Sequence, residues 1–256
     1  ITLATWERKL GDAWYGLGQL PASAEHLESA LEHLGRARPR NVAWLLVCLL
    51  WQVLVQAARR FFPARFHARG DSALFEAARA YQRLGEIAYF QSDTNFLAYA
   101  TVASANFAET APPSFELVRA LSTMSVTAAV VPLHWLARYY SRTATDTARA
   151  LGDPGALAYA LTLKALNLYG LGQVQTAREA LVEAADIAKR RGDLRRYEET
   201  QSLLAHVQLL EGQFERALAT FAGVHALAKK QDDAQPQIWG LVGQFVSALT
   251  LGKHAG

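Results

Sequence analysis

Cysteine is nearly absent: Cys48 stands alone in 256 residues. A single thiol excludes an intramolecular disulfide framework and fits a reducing compartment. Because Cys48 lies in an apolar run, it reads as an inert buried residue rather than a reactive thiol. Charged residues are few, 19% against 51% hydrophobic. That balance predicts broad buried faces or surfaces covered by a partner. Asp and Glu are missing altogether from His33 to Gly70, where arginines stand at 36, 38, 40, 59, 60, 65 and 69. The formal net charge of +3 therefore comes from one segment, and the remainder is net negative. No secretory stretch opens the chain, because Glu7, Arg8, Lys9 and Asp12 interrupt the segment where an apolar run is needed. The chain begins at Ile1 rather than Met and ends soon after a repeat signature, so the sequence reads as a fragment of a longer protein.

Catalytic and cofactor motifs are also missing. Gly252-Lys253 lacks the upstream glycine and the following Ser or Thr of a phosphate loop. Gly16-Leu17-Gly18 follows a helical pattern, not a strand. There is no His-Glu-x-x-His helix and no cysteine pair, which argues against zinc. His26 and His33 lie too far apart along one helix face for a compact metal pair and read as solvated. Ser202 and His206 are the residue types of a nucleophile and its base, but no orienting acid or oxyanion donor accompanies them. The pairs Glu198-Glu199 and Asp232-Asp233 sit near helix starts, where carboxylates complement the dipole. The expectation is a non-catalytic chain with no cofactor and no metal; any enzyme domain would lie outside it.

What the sequence does contain is a repeat. Gly172, Gly212 and Gly252 share a spacing of 40, as do Ala177 and Ala217, and Leu181 and Phe221. Gly152-Asp153, Gly192-Asp193 and Asp232-Asp233 keep the same phase. Gly152 and Gly192 suit a left-handed helix end, Asp153 a cap, and Pro154 the first helical position. Gly172 and Gly212 suit the turn between two helices, and the small Ala177 and Ala217 allow close approach. Leu157, Leu161, Leu168 and Leu171, then Leu203, Val207 and Leu210, recur with helical spacing. The register decays upstream, where Ala137 aligns with Ala177, and Pro132 and Ser92 stand at the turn. Pro112-Pro113 separates two degenerate units. The predicted fold is all-α, a solenoid of antiparallel helix pairs. Its parts are an N-terminal helix pair over 1–37, a basic and apolar insert over 38–70, and repeats over 71–256.

These markers resemble the tetratricopeptide-repeat family. Leu10-Gly11, Trp14, Gly18, Leu20, Ser23, Leu27 and Ala30 stand at the family's spacings. Gly172, Val174, Ala177, Leu181 and Ala184 match the second half of a unit, as do Gly212, Phe214, Ala217 and Phe221. The family's unit is about 34 residues, so these lengthened units depart from it. Tyr81 to Phe90 and Trp239-Gly240-Leu241, with the insert, are similar to C-terminal repeats of large bacterial signalling proteins, in which a nucleotide cyclase or an AAA-type or STAND-type ATPase precedes the repeats.

Carrying over the family's concave positions gives Arg79, Gln82, Glu86 and Tyr89, then Arg119, Ser122, Val126 and Ala129. Tyr159, Thr162, Leu166 and Tyr169 follow, then Glu199, Ser202, His206 and Leu209. Two functions follow from the resemblance: a scaffold that binds a protein, a peptide or another copy, or a sensor whose ligand controls an attached cyclase or ATPase. The insert adds a third element. Asn41 to Ala58 contains no charged residue, and Gln52 and Gln56 form a weakly polar stripe. Three readings stay open: a helix packed on the solenoid or covered by a partner, a helix on an anionic membrane surface through Arg40, Trp44, Trp51, Arg59 and Arg60, or a span at the lower length limit. Phe61, Phe62 and Phe66 read as packing anchors, so nucleic acid is not an expected partner. The expected location is cytoplasmic, with peripheral membrane contact as the alternative.

Overall fold

The computed structural model describes residues 1–62 and 70–252. Arg65, Phe66 and Arg69 of the basic segment, and Lys253, lie outside the described residues. Among these there are twelve α-helices and no strand. They are α1 (Thr2–Gly16), α2 (Leu20–His33), α3 (Val42–Phe61), α4 (Ser72–Phe90), α5 (Thr94–Ala108) and α6 (Phe115–Val130), followed by α7 (His134–Leu151), α8 (Pro154–Gly170), α9 (Val174–Arg191), α10 (Leu194–Leu210), α11 (Phe214–Gln231) and α12 (Ala234–Thr250). The fold class is the all-α solenoid read from the sequence, with helices packed chiefly on their neighbours in the chain. The chain divides into two compact units, Ile1–Thr127 and Ala128–Gly256.

The 40-residue register is a backbone register. Gly172, Gly212 and Gly252 adopt positive φ of 71°, 73° and 69°, and Gly18, outside that register but at the turn of the first helix pair, one of 73°. The next N–H then reaches back over the helix end, as from Gln173 to the Leu168 carbonyl at 2.9 Å and from Gln213 to that of Gln208 at 2.9 Å. Ser92 takes the same conformation without being glycine, at φ 59°. Pro132 cannot. The Leu133 N–H still donates to Ala128 O at 2.8 Å, but the companion bond that Gly172 makes to Tyr169 O has no donor here. Between units, Gly152, Gly192 and Asp232 are left-handed, and the aspartate that follows each caps the next helix. Asp153 Oδ1, for example, accepts from Gly155 N at 2.8 Å.

In the first unit, α1 and α2 meet at Gly11. A Cβ there would stand 2.7 Å from Leu27 Cγ, and Ser23 Oγ donates to the Gly11 carbonyl at 2.8 Å. Both α1 and α2 then pack on α4, passing over α3 in the sequence. The centre is Tyr81, ringed by Phe96, Tyr99 and Phe107 at centroid distances of 6.5, 5.5 and 5.9 Å. Its hydroxyl donates to the Arg36 carbonyl at 2.8 Å, and burial, reinforced by Tyr99, pushes its ionisation well above the usual phenol range. Helix α5 is buried continuously from Tyr99 to Ala108 because α4 and α3 both pack on it.

Helix α3 is turned opposite to an ordinary surface helix. The weakly polar stripe faces inward: Asn106 Nδ2 donates to Gln52 O at 2.8 Å and Gln52 Oε1 at 2.7 Å, and Gln56 is buried. The apolar side, with Trp44, Val47, Leu50, Trp51 and Leu54, faces out. Cys48 is half-buried, so the fully buried thiol expected from the apolar run is corrected: the run's apolar side is the outer one.

In the second unit the phase markers are core residues. Ala137, Ala177, Leu181, Ala217 and Phe221 are all buried, and Leu161, Ala165, Ile187 and Val207 complete the contact between α8, α9 and α10. Helix α12 approaches α11 through two glycines. A Cβ on Gly240 would meet the His225 backbone nitrogen at 2.7 Å, and one on Gly243 would meet the Phe221 ring at 2.2 Å. Glu198, read from the sequence as a helix-start charge, is instead buried one turn into α10. It accepts from Gln231 Nε2 at 2.6 Å. Burial, then the nearby Asp233, raises its pKa above the ordinary glutamate range, against opposing contributions from Arg195 and Gln231.

Candidate partner-binding site

Three helices of the first unit turn charged faces toward one hollow. Arg8 and Asp12 are one turn apart on α1, Glu76, Arg79, Arg83 and Glu86 follow helical spacing on α4, and Glu116 and Arg119 stand one turn apart on α6. Their ion pairs form a single chain of alternating sign. Glu116 accepts from Arg79 at 2.6 Å, and Arg79 also holds Glu76 at 3.0 Å. Glu76 accepts from Arg8 at 2.5 Å, and Arg8 also reaches Asp12 at 2.5 Å. Asp12 accepts from Arg83 at 3.0 Å; Arg83 binds Glu86 at 2.5 Å, and Glu86 binds Arg119 at 2.5 Å.

The hollow that this chain borders has a volume of about 210 Å³ and is lined by Arg8, Asp12, Arg79, Gln82, Arg83, Phe115, Glu116 and Arg119. Aromatic faces hold three of the guanidinium groups, with Arg79 4.5 Å over Phe75, Arg83 4.1 Å over Tyr15 and Arg119 5.8 Å over Phe115. Burial opposes the charge of Arg83, but Glu86 and Asp12 outweigh it and raise its pKa further. Gln82 is 8% exposed, and its Nε2 has no hydrogen-bond partner. A buried amide donor left unpaired costs on the order of 1–3 kcal/mol.

The concave positions inferred from the resemblance fall into two kinds. Arg79, Gln82, Glu86 and Arg119 come together here, and Tyr89, on the same helix, is 68% exposed. Ser122 is buried and donates to the Val118 carbonyl, while Val126 and Ala129 are half-buried. In the second unit, Thr162 is fully buried and donates to Ala158 O at 2.7 Å, a packing arrangement. Leu166 is half-buried. Arg196 covers the buried Tyr159 ring at 4.6 Å and pairs with Glu199.

Ser202 is buried, and it is its backbone carbonyl, not its hydroxyl, that lies 2.8 Å from His206 Nδ1. That geometry holds the imidazole for packing and gives the hydroxyl no base. His206 stands edge-on to Phe221 at 5.0 Å and to Tyr169 at 6.4 Å. With Tyr169, Leu209, Phe214, Val242 and Val246 it lines a second cavity of about 380 Å³.

Several of the insert's arginines are tied into ion pairs with the repeat helices. Arg38 joins Glu28 at 3.0 Å and Asp93 at 2.9 Å. Arg59 lies 3.8 Å from Glu109, which also takes Arg60. Arg40, paired with Glu32 at 3.3 Å, is strongly exposed, at 81% of its side chain. Arg59 and Arg60 therefore fasten α3 to the repeat. Sequence reading missed Arg8, Asp12, Glu76, Arg83 and Glu116. The alternating charges at 76, 79, 83 and 86 were the available signal, since they mark one helix face. No model of a known protein family matches the chain, and no curated protein matches it.

Proposed function

We propose that this chain is a non-catalytic interaction scaffold, the regulatory repeat module of a larger bacterial signalling protein, and that it binds a protein or peptide through the face of α1, α4 and α6. The observation that carries this reading is the alternating ion-pair chain of α1, α4 and α6 around an open hollow. An arginine held by its neighbours loses little side-chain entropy when it donates to a second acceptor group. Arginine with flanking aromatics is also the composition of energetically important interface residues. The lengthened tetratricopeptide-like register supports the same reading, because stacked helix pairs offer one continuous face to a partner.

The test uses a photo-crosslinking residue at the exposed Tyr89, about one turn beyond Glu86 on α4, in cells that express the chain. One partner should be captured in amounts that fall when Arg79→Ala and Arg119→Ala are combined. Equal capture by the double variant would refute the site. A second reading, a ligand sensor, is favoured by the cavity around Tyr169 and His206. It predicts that a small aromatic metabolite raises the melting temperature and that Phe214→Ala abolishes the shift.

A further inference from the structure

Helix α3 has its polarity inverted with respect to water. On its inner side Gln52 accepts from Asn106 of α5, and Leu45 and Gln56 are buried, whereas Val42, Trp44, Leu46, Val47, Leu50, Trp51, Val53 and Leu54 are exposed, Trp44 at 59% and Trp51 at 64%. At about 100° per residue these positions cover a convex arc of roughly 200°. An arc so wide is more than one facing helix can cover, since knobs-into-holes contact uses a narrow seam. A fluid apolar medium covers all of it.

We infer that α3 is a membrane-docking element that lies in the plane of a bilayer surface, its outer arc among the acyl chains and its inner stripe on α5. This surface is independent of the hollow between α1, α4 and α6.

Three features select lipid over a second copy of the chain. The first is the width of the arc. The second is charge: Glu28, Glu32, Asp93 and Glu109 are each paired with one of the insert's arginines, and the 33–70 segment has no acid of its own. Arg40 is exposed at one end of α3. The third is the pair of tryptophans, seven residues apart on the outer arc, where amphipathic rings settle at headgroup level. Its 20 residues make α3 long and apolar enough to cross a membrane. The side-on contact with α5, fixed by Asn106 and Glu109, keeps it from being surrounded by lipid, which sets the in-plane orientation.

The experiment is co-sedimentation of the full chain with vesicles of phosphatidylcholine, and of phosphatidylcholine mixed with phosphatidylglycerol, with quenching by brominated acyl chains as a depth readout. We expect binding that is stronger on the anionic vesicles, with quenching of Trp44 and Trp51. Trp44→Ser with Trp51→Ser should weaken partition about a hundredfold, from two large side chains no longer buried. Leu50→Glu with Leu54→Glu gives a second variant whose outward changes spare the α5 contact, and circular dichroism verifies its fold. Absence of vesicle binding overturns the inference. So does binding that both variants leave intact. A dimer in sedimentation velocity that the variants dissociate, without vesicle binding, assigns the arc to a second copy instead and equally overturns it.

Discussion

Two glycines on adjacent helices should respond oppositely to the same change. Gly223 lies inside α11 with open space around it, and Gly243 lies inside α12 against Phe221. Alanine in a helix interior gains roughly 0.5–1 kcal/mol over glycine by reducing the entropy of the unfolded chain. At Gly223 nothing opposes that gain, so Gly223→Ala should stabilise the chain by about that amount. At Gly243 the new methyl would sit 2.2 Å from Phe221 Cδ1 and 2.4 Å from Cε1, far inside the roughly 3.5–4 Å of favourable carbon contact. Phe221 is fully buried, with His206 edge-on to its ring, so the ring can turn only by giving up these contacts. Overpacking of this kind costs about 1–3 kcal/mol, which exceeds the propensity gain. Gly243→Ala should lower stability by roughly 1–2 kcal/mol. Urea unfolding followed by circular dichroism measures both midpoints. Midpoints that move upward in both variants would refute the close approach of α11 and α12.

Ser92→Gly should raise the urea midpoint. A left-handed non-glycine residue costs about 1–2 kcal/mol, and glycine's extra unfolded-state entropy cancels only part of this; a lower midpoint would contradict the conformation at φ 59°. Glu198→Gln should flatten the pH dependence of stability. Because the folded pKa is raised from the ordinary 4.5, the wild-type contribution is fully present below that value and is lost as pH rises through the raised folded pKa. Urea midpoints for the two proteins should therefore separate on going from acid toward neutral pH, with the variant the more stable, and parallel curves would sink the assignment. Thr162→Val keeps the shape of a buried residue whose hydroxyl bonds its own helix. It should change the midpoint by less than about 1 kcal/mol and leave crosslinking from Tyr89 unaltered; a lost crosslink would mean that Thr162 belongs to the binding face.

The turns were legible because they are local. A glycine or aspartate at a fixed phase answers a backbone demand that recurs every 40 residues, and even Ser92 could be placed by counting. Close approaches were not legible: nothing within α12 distinguishes Gly240 and Gly243 from tolerated glycines until α11 is laid against them. The ion-pair chain was half-legible. Its α4 members share a stripe, but its links to Arg8 and Glu116 cross between helices. The Gln52 and Gln56 stripe of α3 was visible, yet its direction was not, because polarity alone does not say which side of a helix meets water. Asn106, on another helix, decides it.

The route of the chain through the first unit has a kinetic consequence. Helices α1 and α2 reach α4 directly, so α3 is an excursion whose anchors are distant in sequence: Gln52 meets Asn106, and Arg60 meets Glu109. Contacts between neighbouring helices close short loops, whereas these close long ones and wait on a finished α5. During refolding, the amides of α4 and α5 should become protected from hydrogen exchange before α3 is seated. For that interval the helix whose outer arc is most apolar is also the one least committed to its own protein.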